Sequence, residues 1–304
     1  MNGTHLTGLE GTNPLGFFAA LGVQALFDYE TEQPQLWWSD DVVPHAVVND
    51  SFSVDRIVDQ ACNQAKKLLD SRALNPGLKS NDDVKFSPEE LRKYLEQSQG
   101  EKPGNTLAAA LVAEGSVVIK KENNVNKLVA KPTGFYFTAG RQLFLDLARK
   151  IVAGAEPDDY QEALLGPWTY SSDLKSFGWD VVDDRNYALV AFKPSKDTKK
   201  TNPGAEVLAL FGLTRYPAYH KDRTITYGCG GSWEFGHFTW PLWGHPAGAG
   251  AVRALIAQTP TDEDHSLIRG WGVRRLLRSA IRRKDPGGLG TFSPPSLIWS
   301  ASAP

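Results

Sequence analysis

A strongly basic segment lies near the end of the 304-residue chain, between His265 and Lys284. It contains seven cations and no acid: Arg269, Arg274, Arg275, Arg278, Arg282, Arg283 and Lys284. A guanidinium can hold a phosphate through two parallel hydrogen bonds, which an ammonium cannot do. The chemistry that this segment could perform is therefore the binding of a polyanion.

The spacing of the apolar residues predicts a helix from about Ser266 to Lys284. Val273, Leu276, Leu277, Ala280 and Ile281 would share one arc of that helix, and Arg274, Arg275, Arg278 and Arg282 the opposite arc. The helix could then pack on the body of the protein and present a row of arginines. Two interpretations stay open: a nucleic-acid face, or a face that is solvated or paired with acidic residues.

A second basic stretch has the composition of a loop. It carries Lys193, Lys196, Lys199 and Lys200 and precedes Thr201-Asn202-Pro203-Gly204. The loop could hold phosphates and become ordered on binding, or it could be a solvated surface loop. Arg141 precedes another predicted helix, where it could help backbone N–H groups to hold an anion or could simply belong to the helix cap.

Glycines cluster in Tyr227-Gly228-Cys229-Gly230-Gly231-Ser232-Trp233. Such a loop could bring backbone N–H groups close to a phosphate, but a tight turn is the simpler interpretation. The segment lacks the last glycine of Gly-x-Gly-x-x-Gly and the Gly-Lys-Ser/Thr ending of a P-loop, so it does not indicate nucleotide binding. The aromatic residues that follow could stack on bases, although core packing is the simpler interpretation.

No catalytic constellation emerges from the six histidines or the two cysteines. The sequence contains no His-Glu-x-x-His, no Gly-x-Ser-x-Gly and no Cys-x-x-Cys. The paired carboxylates at 158–159 and 183–184 have the surroundings of turns. We therefore expect no enzymatic activity, no metal site and no cofactor.

The net charge of −2 hides a strong asymmetry. The basic segment holds seven of the 33 Lys and Arg residues, which leaves 26 cations against 35 acids in the rest of the chain. A segment of +7 thus stands beside a remainder of −9, so binding of a polyanion should be confined to one face. No signal peptide or membrane span is recognisable, which predicts a cytoplasmic protein.

The alternation of helical and strand-like stretches predicts an α+β fold of mixed helices and short antiparallel strands. We expect a helical N-terminal part and a strand-rich C-terminal part closed by helices, with a soft boundary between residues 1–167 and 168–304. Among the strongest signals are an Asn13-capped helix beginning at Pro14, a Ser87 capping box and a hairpin around Asn123-Asn124. Residues 190–192, 207–211 and 224–227 are predicted strands.

Six segments of the sequence carry a family resemblance: residues 6–23 with Thr12-Asn13-Pro14-Leu15-Gly16, then 137–142, 178–180, 184–189, 203–206 and 238–243. They resemble CRISPR-associated proteins of type I-G (formerly I-U) loci. The resemblance extends to two related families: the large-subunit-like proteins of the Cascade surveillance complex, and a companion protein linked to the helicase-nuclease.

The resemblance implies a non-catalytic subunit of an RNA-guided DNA-targeting complex in antiviral defence. The implied partners are guide RNA, target DNA, other Cas subunits and the helicase-nuclease, without a membrane. Two alternatives remain: a protein–protein adaptor whose arginines meet an acidic partner surface, and an enzyme of an unrecognised class.

Overall fold

The computed structural model describes residues 2–122, 125–183, 201–232, 236–260, 268, 270–283 and 289–301. Across these residues, helices and short antiparallel strands mix along the chain, which confirms the α+β class. Lys193, Lys196, Lys199, Lys200, Arg269 and Lys284, as well as the strand predicted at 190–192, lie outside the described residues.

The N-terminal strands form a three-stranded antiparallel sheet beside a fully buried helix. The sheet has the order β1-β3-β2 and contains β1 (Thr4–Glu10), β2 (Leu36–Trp38) and β3 (His45–Val48). Helix α1 (Pro14–Ala25) follows β1, and the Asn13 side chain caps it by accepting from the Leu15 amide at 3.1 Å. The predicted cap and first position of this helix are confirmed.

The structure describes seven further α-helices. These are α2 (Val54–Asp70), α3 (Pro88–Ser98), α4 (Gly104–Leu111), α5 (Phe144–Gly154), α6 (Pro157–Leu165), α7 (Pro203–Leu213) and α8 (Ala249–Ala257). The predicted capping box at α3 is present, because Ser87 and Glu90 bond reciprocally to each other's backbone amides. The strand predicted at 207–211 is wrong: these residues lie inside α7, which is apolar on every side because it is buried on every side.

Helices α1 and α7 pack closely against each other, across the boundary predicted at residue 167. A Cβ added at Gly22 would overlap the carbonyl oxygen of Leu208, and one added at Gly212 would overlap that of Phe18. Both helices begin with Thr-Asn-Pro, and each capping Asn also donates to a carboxylate: Asn13 to Asp180 and Asn202 to Glu162, both at 3.0 Å. An asparagine cap of the same kind therefore begins each of the two helices that pack together, one from each half of the chain.

A five-stranded antiparallel sheet forms the C-terminal part. Its members are β8 (Cys229–Gly230), β9 (His237–Trp243), β10 (Val273–Arg283), β11 (Gly290–Phe292) and β12 (Ser296–Ser300), in the order β11-β10-β9-β8 with β12 also paired to β10. Two hairpins stand apart from it: β4 (Val117–Glu122) with β5 (Val125–Ala130), and β6 (Tyr219–Lys221) with β7 (Arg223–Ile225). The hairpin predicted around Asn123-Asn124 is confirmed in its two strands.

The predicted C-terminal basic helix is wrong, because residues 273–283 form strand β10 at the centre of this sheet. Two irregularities in the strand explain the misleading pattern. Its register against β9 shifts between Val273 and Arg275, and its register against β12 shifts between Leu276 and Leu277. Each shift resets the alternation of buried and exposed residues, so apolar pairs appear at a spacing that imitates a helix. The last described elements are consequently strands and not helices.

Aromatic rings fill the space between α1 and the C-terminal sheet. The Phe18 ring stacks on Phe238 with centroids 5.2 Å apart and meets Phe135 and Tyr216 edge-on at 4.9 and 5.6 Å. The aromatic residues described at 238–243 are buried, which supports their role in core packing. Within the described residues, no helix has the length and apolar character needed to cross a membrane.

Candidate anion-binding groove

The two ends of β10 place their arginines in different surroundings. At the first end, Arg274 pairs with Asp40 at 2.8 Å, and Arg275 donates to the carbonyl oxygens of Val42 and Asp41 at 3.0 and 3.1 Å. Both side chains therefore bind the segment between β2 and β3. We call this arrangement the loop clamp.

The remaining sequence-predicted cations are dispersed. In the middle of β10, the Arg278 Nε donates to Thr239 Oγ1 on the neighbouring strand at 3.0 Å, and Arg282 is exposed. Arg141 lies apart from β10, exposed in the turn before α5. The arginines of β10 therefore differ in their contacts: Arg274 and Arg275 bind a loop, and Arg278 binds the neighbouring strand.

Arg283, at the last end of β10, lies in a cavity of about 390 Å³ that opens to solvent. We call this cavity the basic groove, because five cations line it: Lys85, Lys120, Lys131, Arg223 and Arg283. None of the described residues that line it is Asp or Glu. The groove is thus a concentration of positive charge in a protein whose total charge is −2.

Elements distant in the chain position these cations. Lys120 lies on β4, Lys131 follows β5, Lys85 precedes α3, and Arg223 begins β7. Hydrogen bonds join the walls: Thr224 Oγ1 donates to the Lys131 carbonyl at 3.3 Å, and the Gly134 amide donates to Thr226 Oγ1 at 2.8 Å. These bonds fix the β6–β7 hairpin against the segment that leaves β5.

Tyr136 lies at the inner end of the groove and contacts two of the cations. Lys85 Nζ is 4.5 Å from the centroid of its ring, and Arg283 donates to its carbonyl oxygen at 3.4 Å. Arg283 also lies 5.2 Å from the centre of the Phe137 ring. Cation–π contacts of this kind hold a charged group in place without neutralising it.

The cations form two groups that differ in exposure. Lys85, Lys131 and Arg283 are half-buried, and we call them the inner trio; Lys120 and Arg223 are exposed, and we call them the outer pair. Burial lowers the pKa of each member of the inner trio. Neighbouring positive charges lower the pKa of Lys85 and Lys131 further, while Asp83 opposes the lowering at Lys85. An anion in the groove would offset the repulsion between these positive charges.

The glycine-rich segment forms part of the groove wall. Gly228 and Gly231 have φ angles of +72° and +80°, which favour glycine, and residues 229–232 line the cavity. Between them, burial raises the pKa of the Cys229 thiol to about 12. A thiol with such a pKa stays protonated near neutral pH and is a poor nucleophile there.

Sequence reasoning found Arg283 but missed Lys85, Lys120, Lys131 and Arg223. These four lie in separate parts of the chain, apart from the two basic stretches that the sequence analysis identified. The predicted hairpin around Asn123-Asn124 contained Lys120, but its neighbours in space come from other elements. The groove arises from tertiary contacts alone.

The described residues contain no group of three His, Cys, Asp or Glu side chains arranged to hold a metal ion. No protein-family model matches the chain, and no curated protein matches its sequence.

Proposed function

We propose that this protein is a non-catalytic, nucleic-acid-binding subunit of a type I CRISPR RNA-guided DNA-targeting complex. The observation that carries the proposal is the basic groove, where five cations converge and no described lining residue is acidic. Phosphodiester backbones are the polyanions that such a cluster recognises, through electrostatic attraction and charge-assisted hydrogen bonds.

The shape of the groove favours contact with a nucleic-acid backbone along its rim. The exposed outer pair lies at the entrance, where phosphates can reach it without entering the cavity. Val118, Ile119 and Ile225 line the same walls, and Ile119 is 68% exposed. Apolar side chains beside cations suit a ligand that alternates charged phosphates with sugars and bases.

The resemblance to type I-G proteins supplies the biological context for the proposal. In that context the nucleic acid is guide RNA or target DNA, and the protein partners are other Cas subunits, including the helicase-nuclease. Such a complex acts in the cytoplasm. We therefore place the nucleic-acid site in the basic groove. The helical row of arginines expected from the sequence is no longer the proposed site.

Salt-dependent binding tests the groove directly. Labelled single-stranded and duplex DNA are titrated with the wild-type protein and with Lys120→Ala/Arg223→Ala at several salt concentrations. We expect the slope of log affinity against log salt to decrease by about 1.4 in the double variant, because each contact to a single strand contributes about 0.7. The matched control is Lys66→Ala/Lys67→Ala, which removes two exposed lysines from α2.

Equal slopes for the two double variants and the wild type would contradict binding in the groove. Purification from native lysate, with and without nuclease treatment, tests the wider assignment. Co-purification of nuclease-protected RNA with further subunits supports a CRISPR complex. Recovery of protein partners without RNA supports the adaptor alternative, and recovery of a bound metabolite alone supports an enzyme.

A further inference from the structure

The inner end of the basic groove differs from its entrance in charge and enclosure. Lys85 and Arg283 approach each other around Tyr136, at its ring and at its carbonyl oxygen respectively. Lys131 lines the same cavity. The half-buried position of all three reduces the screening of their charges by water, so an anion here is attracted more strongly than one at the entrance.

One carboxylate lies close to this cluster. The Tyr136 hydroxyl donates to Asp83 Oδ2 at 2.9 Å, and the Val84 amide donates to Asp83 Oδ1 at 2.9 Å. Asp83 also acts on Lys85 as an opposite charge. The inner trio and Asp83 together carry a charge of +2, and the hydrogen bonds to Asp83 orient it toward Tyr136 and the backbone.

A charge of +2 in a small enclosed site matches a dianion better than a monoanion. A phosphodiester carries one negative charge, whereas a phosphate monoester carries about −1.5 to −2 near neutral pH and has three strong acceptor oxygens. The cavity of about 390 Å³ is large enough for a phosphate and the nucleoside attached to it.

We propose that the inner trio binds a phosphate monoester, and that the apolar wall of the groove receives the nucleoside attached to it. The ligand is either the phosphorylated end of a nucleic acid strand or a free nucleoside monophosphate. If the ligand is the end of a nucleic acid strand, this inference rests on the proposed function, because the inner trio would then bind the end of a strand that the same groove holds.

Paired oligonucleotides test the inference on the wild-type protein. Three short single-stranded DNAs of one sequence carry a 5′-phosphate, a 3′-phosphate or hydroxyls at both ends, with an internal dye. We expect a phosphorylated end to bind about tenfold more tightly than the unphosphorylated strand. Competition with AMP, with adenosine as its uncharged control, then identifies the source of the phosphate: AMP competes and adenosine does not.

Variants separate the two groups of cations. Lys85→Ala/Arg283→Ala should abolish the preference for the phosphorylated end, and Lys85→Arg should retain it because the charge is kept. Lys120→Ala/Arg223→Ala should weaken all strands by the same factor and leave the preference intact. A thermal unfolding curve for each variant confirms that it is folded.

The outcomes distinguish this inference from the proposed function. Equal affinity for phosphorylated and unphosphorylated strands, without competition by AMP, overturns the phosphate monoester site and leaves groove binding of nucleic acid in place. Binding of AMP without binding of any strand supports the monoester site and overturns the nucleic-acid function. Failure of AMP and of all strands to bind overturns both.

Discussion

The two ends of strand β10 use the same side chain for different purposes. At the first end, the loop clamp joins Arg274 to a carboxylate and Arg275 to two backbone carbonyl oxygens. At the last end, Arg283 lies among other cations in the basic groove. The first arrangement ties a loop to the sheet, whereas the second gathers positive charge in a cavity.

The difference shows that a run of arginines in a sequence does not by itself determine what each arginine does in the structure. Arg282 and Arg283 are neighbours, yet Arg282 is exposed outside the groove and Arg283 lines it, because adjacent residues of a strand point to opposite faces. The contacts that tertiary structure supplies decide whether an arginine holds a loop against the sheet or lines a cavity beside other cations.

The largest expected effect is a loss of stability when the buried ion pair of Arg215 is broken. Arg215 is fully buried and forms two hydrogen bonds with the Asp28 carboxylate, at 2.6 and 2.8 Å. Asp28→Ala should lower the free energy of unfolding by about 3–5 kcal/mol, because it leaves a buried charge without its carboxylate. Urea-induced unfolding measures this loss.

The matched control for Asp28→Ala is Glu32→Ala, which breaks an exposed pair with Arg56. It should cost less than about 1 kcal/mol. If the two variants lost similar amounts of unfolding free energy, burial would not determine how much an arginine ion pair contributes to stability.

The next effect compares two neighbouring arginines. Arg283→Ala should weaken the binding of single-stranded DNA with a phosphorylated end by about tenfold, because a charge-assisted hydrogen bond contributes about 1.5–3 kcal/mol. Arg282→Ala, on the opposite face of the same strand, should change the affinity less than threefold. Fluorescence anisotropy at low salt measures both, and an equal loss in the two variants would refute the distinction between the faces of β10.

Local sequence signals predicted the elements that depend on local chemistry. Asn13 and Pro14 defined the start of α1, and Ser87 with Glu90 defined the start of α3, because caps are formed by residues close in the chain. The α+β class followed from the same signals.

Long-range effects account for the failures. The spacing in residues 273–283 has two causes, a helix or a bulged strand, and pairing with β9 and β12 decides between them. Residues 207–211 are apolar whether they form a buried strand or a buried helix, and packing against α1 selects the helix. The groove could not be predicted from the sequence either, because Lys85 and Lys131 lie close to Arg283 only in the folded chain.

A smaller effect is expected from removal of the loop clamp. Arg274→Ala/Arg275→Ala should lower the free energy of unfolding by about 1–2 kcal/mol, because one exposed ion pair and two bonds to carbonyls are lost. Hydrogen exchange in residues 40–43 should become faster. Binding of DNA should stay within twofold of the wild type, and a large loss of binding would show that the first end of β10 also contacts nucleic acid.

The smallest expected effect is a dependence of stability on pH that comes from His45, next to the segment that the loop clamp holds. Burial lowers the pKa of His45 below its usual 6.5; Asp41, whose carboxylate is 3.3 Å from His45 Nδ1, opposes this, and His5, 2.9 Å from Nε2, adds to it. The unfolded chain therefore binds a proton at His45 before the folded chain does. The free energy of unfolding should decrease as the pH falls through 6.5 and level off below the lowered pKa.

Urea unfolding between neutral pH and about pH 5, where histidines titrate, measures this contribution. His45→Gln should reduce the pH dependence, since glutamine cannot take up the proton. Acidification should therefore weaken the contacts of the segment between β2 and β3, which the loop clamp holds at the first end of β10. If His45→Gln retained the full dependence, the proton would bind at another group, and His45 would not be the source of the pH dependence.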